Sequence, residues 1–151
     1  MLRHAAEARL SHRLRPVLVV APTPELATNL SRWLRENGFE TEVVPTYPAG
    51  KIRLDTHPSS LVTEIELGAY NGLQLALHAR AEHLGSVVIG PTDIVLEREA
   101  AQLGITYIRK DGLTVEGLMA AMDKASAASI IEERATVWAM SAGRAARASI
   151  H

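Results

Sequence analysis

Cysteine is missing altogether from this 151-residue chain, which excludes a disulfide framework, a thiol nucleophile and a thiolate metal site. Aromatic residues are scarce at 4%, too few for the stacking platforms that bind single-stranded nucleic acid. No sign of charge dominates: 16 basic and 17 acidic side chains leave a formal net charge of -1. No global field therefore draws the chain to nucleic acid or to anionic membranes. The longest apolar run is far too short to cross a bilayer. A Gly-rich phosphate loop is lacking too, because "APTPE" follows the first apolar run, and no G-x-S-x-G elbow occurs. Nucleotide binding of the Rossmann type and serine hydrolysis both lose their diagnostic residues.

What is present is an ordinary globular balance, 47% hydrophobic and 22% charged. A chain of this length forms one domain and buries roughly two-thirds of its unfolded surface, so it needs no metal staple. The Arg-rich start, "MLRHAAEARLSHRLRP", has the pattern of an amphipathic helix, as a mitochondrial transit peptide does. Glu7 argues against targeting, since such peptides are poor in acids, and the reading is a frayed or docked N-terminal helix.

From Pro16 the periodicities alternate. "PVLVVA" (Pro16–Ala21) is a continuous apolar, β-branched run suited to a strand buried on both faces. Thr23-Pro24-Glu25 reads as an N-cap, a first-position proline and a first-turn acid. Leu26, Leu30, Trp33 and Leu34 follow at helical spacing, and Asn37-Gly38 ends the helix. "FETEVVP" (Phe39–Pro45) is a second strand, and Tyr47 to Pro58 is read as a short irregular helix.

"SSLVTEI" is a third strand, and after Asn71-Gly72 a helix is expected to run to Gly85. "SVVIG" (Ser86–Gly90) is a fourth strand, "DIVLEREAAQLG" a helix, and "ITYIRK" (Ile105–Lys110) a fifth strand, before Thr114 caps a last helix. Buried strands alternating with helices point to a parallel sheet covered on both faces, with ligands bound beyond the carboxyl ends of the strands.

Near the C-terminus Ile131, Ala135, Trp138, Ala142 and Ala145 form a narrow apolar stripe at spacings of 4, 3, 4 and 3. It suits a dimer seam, or else a helix packed on its own domain. It is too short for a separate effector domain with its own core.

Taken together, "LVTEIELGAYNGLQL" and "EAAQLGITYIRK" resemble the receiver domain of two-component response regulators, over about Arg15 to Ser126. The resemblance implies a flavodoxin-like α/β sandwich: a five-stranded parallel sheet in the order 2-1-3-4-5 with an extended C-terminal helix. The domains expected are an N-terminal extension over 1–15, a receiver-like domain over 16–126 and a C-terminal helical extension over 127–151. The family needs an acidic pair after the first strand, an acceptor Asp after the third, Ser or Thr after the fourth and Lys after the fifth. The carboxylate attacks a phosphoryl group, a divalent cation shields the charge, and lysine and hydroxyl grip the oxygens.

This sequence departs from that pattern. The acidic pair falls on Ala21 and Pro22, the acceptor on Glu64, and the hydroxyl near Gly90 or Pro91, with Thr92 arriving late. Lys110 keeps the lysine position and Tyr107 the aromatic switch position. Without the pair magnesium affinity should be poor, and the extra methylene of Glu64 displaces it from in-line geometry.

Glu64 is then a permanent negative charge with Lys110 as counter-ion. Either it fixes one signalling state, or the two form an ion pair that only supports the fold. The expected function is a non-catalytic pseudo-receiver that contacts a signalling protein or histidine kinase through the fourth helix, fifth strand and fifth helix. With no output domain in this sequence, it would signal by contact, as a cytoplasmic homodimer, with Tyr107 and Trp138 at interfaces. A still-active phosphoryl acceptor and a small-molecule sensor in the vacated pocket are the rival readings.

No cofactor and no metal site are expected. His78 and His83 are five apart and face different ways, and His4, His12, His57 and His151 lie in segments read as loose. Two arginines in "GRAAR" (Gly143–Arg147) suit a solvated helix end.

Overall fold

The computed structural model describes residues 15–129 and Trp138. The N-terminal segment before Arg15 lies outside the described residues. So do Ile131, Ala135, Ala142 and Ala145 of the apolar stripe, the Gly143–Arg147 arginines, His4, His12 and His151.

Strand β1 (Val17–Val20) is followed by α1 (Pro24–Glu36), β2 (Thr41–Val44), α2 (Tyr47–Leu54) and β3 (Ser60–Glu64). A small hairpin, β4 (Glu66–Leu67) and β5 (Tyr70–Asn71), leads into α3 (Gly72–Ala81). Next come β6 (Gly85–Gly90), α4 (Ile94–Gln102) and β7 (Thr106–Arg109). A last helix, α5, occupies 115–129, and Trp138 is also helical. The main sheet is parallel with the order β2-β1-β3-β6-β7. This is the flavodoxin-like order expected from the sequence.

Strand alternation sends successive side chains to opposite faces, and the core divides accordingly. Val17 and Val19 pack with Leu26, Leu30 and Leu34 of α1 and Leu118 and Met122 of α5. Leu18 and Val20 pack with Tyr47 and Leu54 of α2 and Leu75 of α3. Ile65, Leu73, Val88 and Ala100 form a third cluster beneath α3 and α4. Each such large side chain contributes on the order of 2 kcal/mol by leaving water. The leucines of α1 recur at i, i+4 and i+8, which puts one stripe of the helix on the sheet.

The stretch read as a short irregular helix holds a regular eight-residue one, α2, whose N-cap Thr46 accepts the Ala49 N–H at 3.3 Å. Gly50 lets that helix approach β1, since a Cβ there would stand 2.8 Å from Val20 Cγ2. Helix α3 stops at Ala81 rather than running to Gly85. His83 takes the left-handed turn there at φ 59°, and the Leu84 N–H reaches back to the Ala79 carbonyl at 2.9 Å. Gly85 already belongs to β6, and its missing side chain makes room for the backbone of Ala125 in α5. Among the described residues no helix is long and apolar enough to cross a membrane.

Candidate functional site

The carboxyl ends of β1, β3, β6 and β7 converge at one edge of the sheet. Glu64 ends β3 beside Ile89 of β6, and only 7% of it is exposed. A carboxylate so far out of water needs donors. Thr23 supplies two: its hydroxyl donates to Oε1 at 2.8 Å and its backbone N–H to Oε2 at 2.9 Å. Lys110 Nζ stands farther off, 3.9 Å from Oε1, with 49% of its side chain exposed. The expected lysine is there, but threonine makes the direct contacts.

Thr23 is the N-cap residue of α1, as its position suggested, but its side chain makes no cap. Its hydroxyl turns to Glu64 because a charged acceptor makes a shorter and stronger hydrogen bond. Sequence reasoning missed this second role. The available signal was a hydroxyl two residues past the end of an apolar strand, opposite an acid ending another.

The chain leaves Glu64 through a tight passage. The Gly72 N–H donates to the Ile65 carbonyl at 2.8 Å, and a Cβ on Gly72 would run into the Glu64 carbonyl. Asn71 and Gln74 form a reciprocal capping box at the start of α3. Outside it, the Tyr70 ring stacks on Tyr47 with centroids 4.3 Å apart, which ties the hairpin to α2.

Ala21 is buried and Pro22 exposed, and neither side chain carries an oxygen. Magnesium, which this kind of site implies elsewhere, does not fit these residues. One carboxylate is available and both its oxygens already accept from Thr23, whereas hard cations want several oxygen ligands. Among the described residues no cluster of His, Asp or Glu could hold a metal ion.

At the end of β6 the space beside Gly90 is taken by Tyr107. The Tyr107 hydroxyl donates to the Pro91 carbonyl at 2.7 Å, and the ring packs on the cluster of Ile65 and Val88. Burial raises the Tyr107 pKa, helped by Glu97 and Asp93 and opposed by Arg109. Thr92 is exposed in the loop before α4.

Arg109 Nε donates to Glu97 Oε1 at 2.8 Å and Nη2 to Oε2 at 3.4 Å, joining β7 to α4. That hydrogen bond and the charge of Glu97 raise the Arg109 pKa. On α4, Ile94 and Val95 are 63% and 69% exposed, and Trp138 is 74% exposed.

No protein-family model and no curated protein matches the sequence. Solved structures do. A response regulator receiver protein from Sinorhizobium medicae WSM419 superimposes with a TM-score of 0.66 at 20% identity, over 76% of this chain and 96% of that one. A response regulator receiver domain protein from Clostridium thermocellum gives 0.65 at 16%, over 78% and 98%. A sensor protein from Polaromonas sp. JS666 gives 0.66 at 19%, over 76% and 98%. The fold is that of a receiver domain. At these identities the likeness is one of architecture, and the residues at the strand ends are this chain's own. In this receiver fold Glu64, Ala21, Pro22, Gly90 and Lys110 gather at the carboxyl ends of the strands, while Thr92 stays at the surface and Trp138 is helical and exposed.

Proposed function

We propose that the chain is a non-catalytic pseudo-receiver, a signalling module that works by protein–protein contact rather than by taking up phosphate. The observation that carries this reading is the double donation of Thr23 to Glu64. The carboxylate that would have to attack is buried, satisfied on both oxygens and unaccompanied by the acids that hold a cation. In this reading Glu64 supplies a fixed negative charge at the strand ends, and Lys110 faces it as a weak, solvated counter-ion.

The contact face is α4, β7 and α5, where Ile94 and Val95 offer exposed apolar area and Tyr107 borders it. The partner is a signalling protein such as a histidine kinase, or a second copy of the chain, in the cytoplasm. Trp138 belongs to that second-copy contact, because an indole this exposed on a helix is suited to burial in an interface.

Intact mass after incubation with acetyl phosphate and magnesium, wild type beside Glu64→Gln, tests the reading. No added phosphoryl mass is the expected result. A gain that depends on Glu64 would overturn it in favour of an active phosphoryl acceptor.

A further inference from the structure

We propose that Gly90 and Tyr107 form a steric latch that holds Tyr107 against the end of β6 and fixes the start of α4 to β7 without any phosphate. The position after the fourth strand of the main sheet carries no side chain, and the tyrosine occupies that room. A Cβ on Gly90 would collide with the Tyr107 hydroxyl, lie 2.9 Å from its Cζ and lie 2.8 Å from Ile65 Cγ2. Real Cβ atoms do not approach neighbours that closely, so a side chain at this position and the observed tyrosine exclude each other.

The remaining contacts show why the ring stays. Its hydroxyl is satisfied by the Pro91 carbonyl at 2.7 Å, one residue past Gly90. The ring covers the cluster of Ile65, Val88 and Ala100. Arg109, two residues further along β7, holds Glu97 in the first turn of α4 at 2.8 Å. Asp93 caps that helix by accepting the Val95 and Leu96 N–H groups at 2.9 and 3.2 Å. The loop from Gly90 to Asp93 is thus fastened at both ends. Ile94 and Val95 follow directly, so the latch sets how this exposed apolar pair is presented.

The latch involves neither Glu64 nor Thr23. Labelling by acetyl phosphate could therefore defeat the proposed function and leave the latch intact, and the converse also holds.

The test places Gly90→Ala in two backgrounds, wild type and Tyr107→Ala, and follows ring-labelled tyrosine by NMR with Tyr107→Phe as the assignment control. The expected result is that Gly90→Ala shifts the Tyr107 ring signals, speeds amide exchange over 91–97, and lowers the melting temperature. In the Tyr107→Ala background the same substitution should lower it much less. If Gly90→Ala alone does not fold, a folded Gly90→Ala/Tyr107→Ala protein still supports the latch. Unmoved Tyr107 signals, or an equal loss in both backgrounds (failure to fold in both included), would overturn it.

Discussion

Thr23 and Glu64 meet across the β1–α1 and β3 strand ends, with hydroxyl and backbone N–H of one residue on the two carboxylate oxygens of the other, at 2.8 and 2.9 Å. They are 41 residues apart in the chain. One residue, through its side chain and its backbone, thus does at this site what the sequence assigned to a lysine.

The two partners of Glu64 should therefore differ in worth. A hydrogen bond to a charged, buried acceptor contributes about 1.5–3 kcal/mol, so Thr23→Ala should cost roughly that much. Lys110 is half exposed and 3.9 Å away, where solvent screening leaves about 0–1 kcal/mol. Urea unfolding of Thr23→Ala and Lys110→Ala checks the order. A larger loss for Lys110→Ala would mean that the ion pair, not the threonine, holds the carboxylate.

Gly72→Ala should be costly although α3 would gain a better helix former. The added methyl meets the Glu64 carbonyl, which is backbone and has little room to move. Overpacking of this kind costs about 1–3 kcal/mol, against roughly 1 kcal/mol of helix propensity gained. Chemical denaturation of the variant should show a net loss, and a stabilised protein would contradict the packing described.

The stacked pair Tyr47 and Tyr70 should behave as the fastening of the β4–β5 hairpin. Such a pair is worth about 0.5–1.5 kcal/mol beyond the area it buries. Tyr70→Ala should accelerate amide exchange over 66–71 while leaving the β1 and β3 amides protected. Equal acceleration across the sheet would show that the hairpin is not a separate local unit.

Tyr107 gives a pH dependence with a defined sign. Its folded pKa is raised above the ordinary value near 10, mainly by burial. The unfolded chain therefore loses this proton first, and the stability is full below about pH 10 and falls as pH rises through the folded pKa. Tyr107→Phe should flatten that alkaline decline in the urea midpoint. An unchanged decline in the variant would assign it to other groups.

Much of the fold was legible in the chain because its signals are local. "VLVV" and "SVVIG" are short, largely β-branched apolar runs that suit interior strands, and Leu26, Leu30, Trp33 and Leu34 of α1 step by 4, 3 and 1, which the alternation of a strand does not match. Less legible were features whose cause lies elsewhere in space. Gly85 looks like a helix stop in the sequence, but it serves the approach of Ala125, and His83 makes the turn instead. The hairpin at 66–71 has two-residue strands, too short for any periodicity, and rests on a ring stacked from α2.

The sequence by itself determined the layered α/β class, the acid at the end of the third strand and the side chains without oxygen at Ala21 and Pro22, since these depend only on residue type and position along the chain. Tertiary structure alone decided that Thr23 abandons its cap for Glu64 and that Tyr107 fills the space at Gly90. Both outcomes are contests between partners far apart in sequence, settled by distances of a few tenths of an ångström that no local pattern encodes.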